Sequence, residues 1–169
     1  MRVLVAVSSK HGATTEIAEA IGKTLRDAGL ETDVMDVSAV GDVAEYDAIV
    51  VGSGAYAGNW LKPARAFVDN NEQALSKVPV WLFSSGPLGD PLKPDDDEAV
   101  KITGIEKATG AVDHAVFAGA LNRAKLSFAE RAITKAVRAE EGDFRNWSVI
   151  ADWAEEIATC LKGEWPYRD

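Results

Sequence analysis

Four short apolar runs, rich in β-branched residues and separated by longer amphipathic stretches, constrain this chain more than any other feature. They cover residues 3–7, 48–51, 78–83 and 115–118. They lack the in-out alternation of a half-wet sheet, so they predict strands covered on both faces, as in a parallel sheet. A fifth run, 31–37, alternates more clearly and predicts an edge strand. Between the runs lie helical patterns. Ile17, Ile21, Leu25 and Ala28 share one face, with Gly29 as a stop; Leu61, Ala64, Phe67 and Val68 mark a second helix; Ile150, Trp153, Ile157 and Leu161 mark the last. Pro94 before Asp95-Asp96-Asp97-Glu98 predicts another helix start, with the acids at the positive dipole end. Ser127-Phe128-Ala129-Glu130 fits a capping box, with Ala132, Ile133, Ala136 and Val137 expected inside. Strands alternating with helices require right-handed crossovers. The expected class is therefore α/β, a doubly wound five-stranded parallel sheet in the order 2-1-3-4-5 with helices on both faces.

Composition narrows the function classes. The 169 residues suit one domain, 1–169, with no repeat, low-complexity tract or linker. The apolar runs are far shorter than the roughly 20 residues that span a bilayer, and the first reads as a core strand rather than a signal peptide. The lone Cys160 predicts a reducing, cytoplasmic setting and a core position. A net charge of −9 argues against nucleic acid and against general attraction to anionic lipid. Residues 123–138 depart from that balance, with Arg123, Lys125, Arg131, Lys135 and Arg138 against Glu130 alone. Arg131, Lys135 and Arg138 fall on one helical face, which is either a solvated face or a dock for an anionic partner or membrane surface.

In a doubly wound sheet, ligands sit outside the carboxyl ends of the strands beside the point where the order reverses. That selects three loops. The first, residues 8–14, reads Ser8-Ser9-Lys10-His11-Gly12-Ala13-Thr14 and runs into a helix. Free helix amides, the dipole, the hydroxyls of Ser8, Ser9 and Thr14 and a turn at Gly12 together make a phosphate cradle. The alternative is that Ser9 or Thr14 only caps the helix. There is no G-x-x-x-x-G-K-[ST] and no G-x-G-x-x-G after the first strand, and the aspartate cluster of a phospho-acceptor domain is missing. The second loop, residues 52–60, is "GSGAYAGNW". Its glycines permit close backbone approach; Tyr56 is the better contact for a planar ring, while Trp60 is either a second contact or a staple at the helix start. The third, "FSSGPLGDP" at 83–91, offers the backbone of Ser84, Ser85 and Gly86 to a heterocycle edge, with Pro87 stiffening the turn and Phe83 ending the strand in the core.

These loops resemble the FMN site of flavodoxins. The segments "GSGAYAGNWLKPARAFVDNN", "AGALNRAKLSFAERAI" and "GDFRNWSVIADWAEEIA" are similar to the flavodoxin-domain family that includes menaquinone-dependent protoporphyrinogen dehydrogenase. The resemblance implies a flavodoxin-like fold with FMN as cofactor. Ser9, Lys10, His11, Gly12, Ala13 and Thr14 match the phosphate-binding stretch. Ser53, Gly54, Ala55, Tyr56, Ala57 and Gly58 match the first ring-binding loop, and Ser85, Gly86 and Pro87 the second. Loop three lacks the second ring-covering aromatic, and "KAVRAEEGDFRNW" is shorter and more acidic than the basic segment of the porphyrinogen-oxidising members.

With one ring face open, the flavin can exchange a hydride with a stacked donor or acceptor. No side chain need act as acid or base, and no metal is called for. His11 is expected to supply charge or a hydrogen bond to the phosphate, His114 to be structural, and the Gly58 or Gly86 N–H to tune the flavin. The expected function is an FMN-dependent reductase or dehydrogenase passing electrons between a hydride or protein donor and a small acceptor such as a quinone. The alternative is a flavodoxin-type electron shuttle working with redox proteins and no substrate of its own. A flavin-free interaction domain is the third class.

Overall fold

A computed structural model describes residues 1–56, 58–86, 100–136 and 141–163. In chain order the elements are β1 (Arg2–Ser8), α1 (Ala13–Asp27), β2 (Glu31–Asp36), β3 (Ala48–Tyr56), β4 (Asn59–Trp60), α2 (Lys62–Leu75), β5 (Val80–Ser85), α3 (Thr103–Thr109), β6 (Asp113–Phe117), β7 (Ala120–Leu121), α4 (Phe128–Ala136), β8 (Gly142–Asp143) and α5 (Trp147–Leu161). Five of the strands pair in parallel in the order β2-β1-β3-β5-β6. Taken in chain order, those five run 2-1-3-4-5, the expected doubly wound arrangement. Two short additions were not foreseen: β4 pairs antiparallel with β3, and β7 with β8 forms a separate ribbon.

Strand periodicity divides the core. Val3, Val5 and Val7 of β1 face the layer built by Ile17, Ile21 and Leu25 of α1 and Ile150, Trp153 and Ile157 of α5. Leu4 and Ala6 face the opposite layer, with Ala64, Phe67, Val68 and Leu75 of α2 and Ile102 ahead of α3. Phe83 sits at the centre of the first layer, edge-on to Trp153 at 6.3 Å and tilted against Phe117 at 6.1 Å. Cys160 packs against the same layer, partly buried. Gly29 follows α1 with φ 90°, so the stop holds as read, and Pro63 lies in the first turn of α2, where its missing N–H costs nothing.

Several boundaries move for physical reasons. β3 runs on to Tyr56, well past residue 51, because its Gly/Ser half keeps ladder partners on both sides: Ser8 opposite Ser53, and Ser85 opposite Gly54. β2 stops at Asp36, whose carboxylate turns back to accept from Ser38 N and starts a short 3₁₀ turn. β6 is mostly half-buried rather than covered on both faces, as an outer strand with one neighbour. The helix expected from Pro94 lies outside the described residues, whereas α3 carried no signal that we read. Ala132, expected inside α4, is exposed. Among the described residues, no helix is long and apolar enough to cross a membrane.

Candidate functional site

The sheet order reverses between β1 and β3, and the loops after β1, β3 and β5 meet at that edge. Loop one turns into α1 through Gly12, whose φ of 92° is a left-handed conformation that other residues resist. No side chain caps the helix. The Ser9 hydroxyl instead accepts from the Gly12 N–H at 3.0 Å, bracing the loop one residue before α1 begins. The capping alternative for Ser9 and Thr14 is thereby removed. The N–H groups of Ala13, Thr14 and Thr15 have no intrahelical acceptor and carry the positive end of the dipole.

Loops one and two are brought together at a glycine. A Cβ on Gly54 would lie 3.3 Å from the Thr14 hydroxyl oxygen, closer than nearly all real contacts. Thr14 is itself buried, as are Ser8 and Ser85. Gly86, at φ 77°, sits with its would-be Cβ 3.8 Å from the Ala55 carbonyl, so loop three abuts loop two. Gly58 is left-handed as well, and its carbonyl accepts from Lys101 N at 2.7 Å.

Other residues of these loops are committed to the scaffold. The Ser53 hydroxyl donates to the Gly54 carbonyl at 2.8 Å and accepts from Leu61 N at 3.0 Å. Trp60 is buried with its indole N–H on the Ser84 hydroxyl at 2.7 Å, so it is a core residue and not a ring contact. Ser84 is also 2.8 Å from His114 Nε2, which makes His114 structural as expected. The Gly86 N–H bonds the Phe117 carbonyl at 2.9 Å, so it is not available to tune a flavin. Gly52 answers to packing rather than ligand approach: a Cβ there would lie 2.0 Å from the Phe83 ring. Ala57 and Pro87 lie outside the described residues.

The charges of loop one have a partner that sequence reasoning missed. Glu130, in the first turn of α4, is buried; its carboxylate meets His11 Nε2 at 2.7 Å and Lys10 Nζ at 3.1 Å. The hydrogen bond from His11, helped by Lys10 and Ser127, outweighs burial and holds this carboxyl down at about 2. The half-buried Tyr56 donates its hydroxyl to the same carboxylate at 3.4 Å, and Lys10 Nζ stands 5.4 Å from its ring centroid. Burial first, then the Glu130 charge and hydrogen bond, push the Tyr56 phenol up to about 12. The capping box is present too, with the Ser127 hydroxyl accepting from Glu130 N at 3.2 Å. That motif was legible; the outward reach of its carboxylate was not. Arg145 was also missed. It pairs with Asp143 at 2.7 Å and with Glu16, donates to the Ala13 carbonyl at 3.2 Å, and lies 4.6 Å from the Trp147 ring. Its place inside "GDFRNW", one of the quoted segments, was the available signal.

Arg131 and Lys135 are exposed on α4; Arg138 lies outside the described residues. No cluster of metal-ligating side chains occurs among the described residues. A recess of about 400 Å³ beside β6, lined by Glu106, Ala111, Val112, Asp113, His114 and Val116, opens at the amino end of that strand, away from the loops.

A flavodoxin domain profile matches residues 4–148. The chain belongs to the flavodoxin domain family. It is 23% identical over 172 residues to the Escherichia coli protein named protoporphyrinogen IX dehydrogenase [quinone], covering 94% of this chain and 95% of that one. Among solved structures it resembles a flavodoxin from the domain Archaea, at TM-score 0.65 and 17% identity, covering 96% of this chain and 99% of that one. A Streptococcus pneumonia flavodoxin aligns at TM-score 0.60 and 20% identity, covering 98% and 100%. FMN is the cofactor that family membership implies. The residues present fit it: free helix amides, the Thr14 hydroxyl and the Lys10 ammonium suit a phosphate, and a floor of Gly and Ser beside the half-buried Tyr56 suits a planar ring.

Proposed function

We propose that this domain is a cytoplasmic, single-domain FMN-dependent oxidoreductase that passes electrons from a hydride or protein donor to a small acceptor such as a quinone. The observation that carries the reading is the start of α1, where Gly12 leaves the first amides without any side-chain cap. Those amides, with Ser9, Lys10, His11, Gly12, Ala13 and Thr14, would hold the phosphate. Ser53, Gly54, Ala55, Tyr56 and Gly58 from loop two, with Ser85 and Gly86 from loop three, would line the ring, Ala57 and Pro87 completing the set. Bound FMN supplies the electron and hydride chemistry; the protein supplies position and field.

Within that frame each side chain has a definite task. The Thr14 hydroxyl donates to an anionic oxygen, and Ser9 keeps the loop in the shape that aims the amides outward. Lys10 and His11 add positive charge, and Tyr56 offers one aromatic face. Phe83 is buried under Gly52, so loop three adds no aromatic among the described residues and one ring face stays open for a stacked reactant. The printed name of the Escherichia coli relative supports a quinone on that face.

The test is direct. Protein purified with FMN should absorb near roughly 375 and 450 nm. Thr14→Val should weaken FMN binding by about 1.5–3 kcal/mol, as expected for a lost hydrogen bond to a charged group, and Ser9→Ala by about 0.5–1.5 kcal/mol, as expected for the neutral brace to Gly12. Rapid reduction by a nicotinamide followed by turnover with a soluble quinone supports the enzyme; a requirement for a separate reductase protein supports the electron shuttle instead. The Arg131, Lys135 and Arg138 face is the proposed dock for an anionic partner. Charge reversal at Arg131 and Lys135 should slow partner reduction at low salt and leave it unchanged at high salt.

A further inference from the structure

The attachment of α4 is unusual among the helices of this domain. Phe128, Ala129, Arg131, Ala132 and Lys135 are all exposed, Phe128 at 91%. The side chain of α4 described as buried is the charged one, Glu130. A buried carboxylate is costly unless its oxygens are paired. Here the pairing is spent on another part of the molecule. The reach back to its own N-cap, Ser127 N, is long at 3.4 Å, whereas His11 at 2.7 Å and Lys10 at 3.1 Å are close. The same oxygen that meets His11 also accepts from Tyr56. One carboxylate thus joins the cationic end of loop one to the aromatic of loop two, and α4 to both.

We propose that Glu130 is a positioning residue that ties α4 across loops one and two, holding Lys10, His11 and Tyr56 in register and slowing escape of the bound cofactor. The inference rests on the assignment of these loops to FMN. A ligand spanning both loops can leave only as they part, and the Glu130 contacts must break for that to happen. A second physical effect has the opposite sign. A carboxylate near a bound phosphate repels it, so if charge alone mattered, removing Glu130 would tighten binding. The two effects therefore predict rate changes in opposite directions.

The experiment measures FMN dissociation by trapping released flavin after rapid dilution of the reloaded protein. Glu130→Gln and Glu130→Ala should raise the dissociation rate by about ten- to hundredfold, the range for a lost charged hydrogen bond. His11→Gln should do the same, and the Glu130→Ala/His11→Gln double variant should be no faster than its faster parent, because both break one linkage. Ala132→Gln, at an exposed position on the same helix but outside the tie, should leave the rate unchanged. A readout without cofactor accompanies these. In the flavin-free protein, the tyrosine ultraviolet titration of Glu130→Gln should show one phenol moving from about 12 toward the ordinary value of about 10. An unchanged or slower dissociation rate in the Glu130 variants would overturn the proposal, as would a Tyr56 titration that does not move. Wild-type protein that takes up no FMN would instead overturn the cofactor assignment beneath it.

Discussion

Glu130 and Arg145 both come from the last third of the chain, and both reach the start of α1, yet they hold different things. Arg145 grips acids and a backbone carbonyl: Asp143 beside it, Glu16 one turn into α1, and the Ala13 carbonyl. Its guanidinium is 10% exposed and stacked near Trp147, which is how a scaffold fastener looks. Glu130 is buried to a similar degree, but its partners are the Lys10 ammonium, the His11 imidazole and the Tyr56 phenol, carried by the loop after β1 and the end of β3. Equal burial and equal charge pairing thus serve docking in one case and site geometry in the other. What separates them is the identity of the groups held.

The contrast can be broken in order of expected effect. Beneath both fasteners lies the sheet core, and Gly52→Ala should cost most, about 3 kcal/mol, because its Cβ would meet the Phe83 ring at 2.0 Å. Chemical denaturation measures it; a loss below about 1 kcal/mol would mean that Phe83 repacks freely. Arg145→Ala should come next, at about 2 kcal/mol of stability from its charged hydrogen bonds, with FMN affinity changed by less than about threefold. A large affinity loss at constant stability would move Arg145 into the site and erase the distinction. Glu130→Gln should cost about 1–2 kcal/mol of stability at neutral pH, the low end for a hydrogen bond to a charged group.

The smallest effect is the one that sharpens the comparison most. The Glu130 carboxyl titrates at about 2 in the folded protein, below its ordinary value of 4.5. A carboxyl lowered by folding stabilises the native state above its unfolded value and loses that contribution as pH falls toward the folded one. The stability gap between wild type and Glu130→Gln should therefore close as pH falls from about 5 toward 2. A gap that widens below about pH 5 would contradict the His11 and Lys10 pairing.

Legibility followed the range of the interactions. The β-branched runs and the 3.6-residue stripes of α1, α2 and α5 depend on local periodicity, and they placed the sheet order and its reversal point. The Gly/Ser half of β3 looked like loop because its strand character comes from partners, Ser8 and Ser85, far away in sequence. Gly52 looked like a ligand-facing glycine, and only the neighbouring strand reveals Phe83 above it. Trp60 was ambiguous until Ser84 supplied a partner for its indole. Ser127 and Glu130 were readable as a cap because that motif spans three residues. The contact from Glu130 to His11 spans 119 residues and no local pattern encodes it. The loops that gather the site were thus visible, while the way they are fastened was a product of the tertiary fold.

Calorimetric titration of the flavin-free protein with FMN and, in parallel, with riboflavin tests the central claim that the start of α1 holds a phosphate. The account predicts saturable one-to-one binding of FMN, riboflavin weaker by at least about a hundredfold, and a gap that narrows in Thr14→Val. Equal affinity for the two flavins, or no uptake of either, would contradict it.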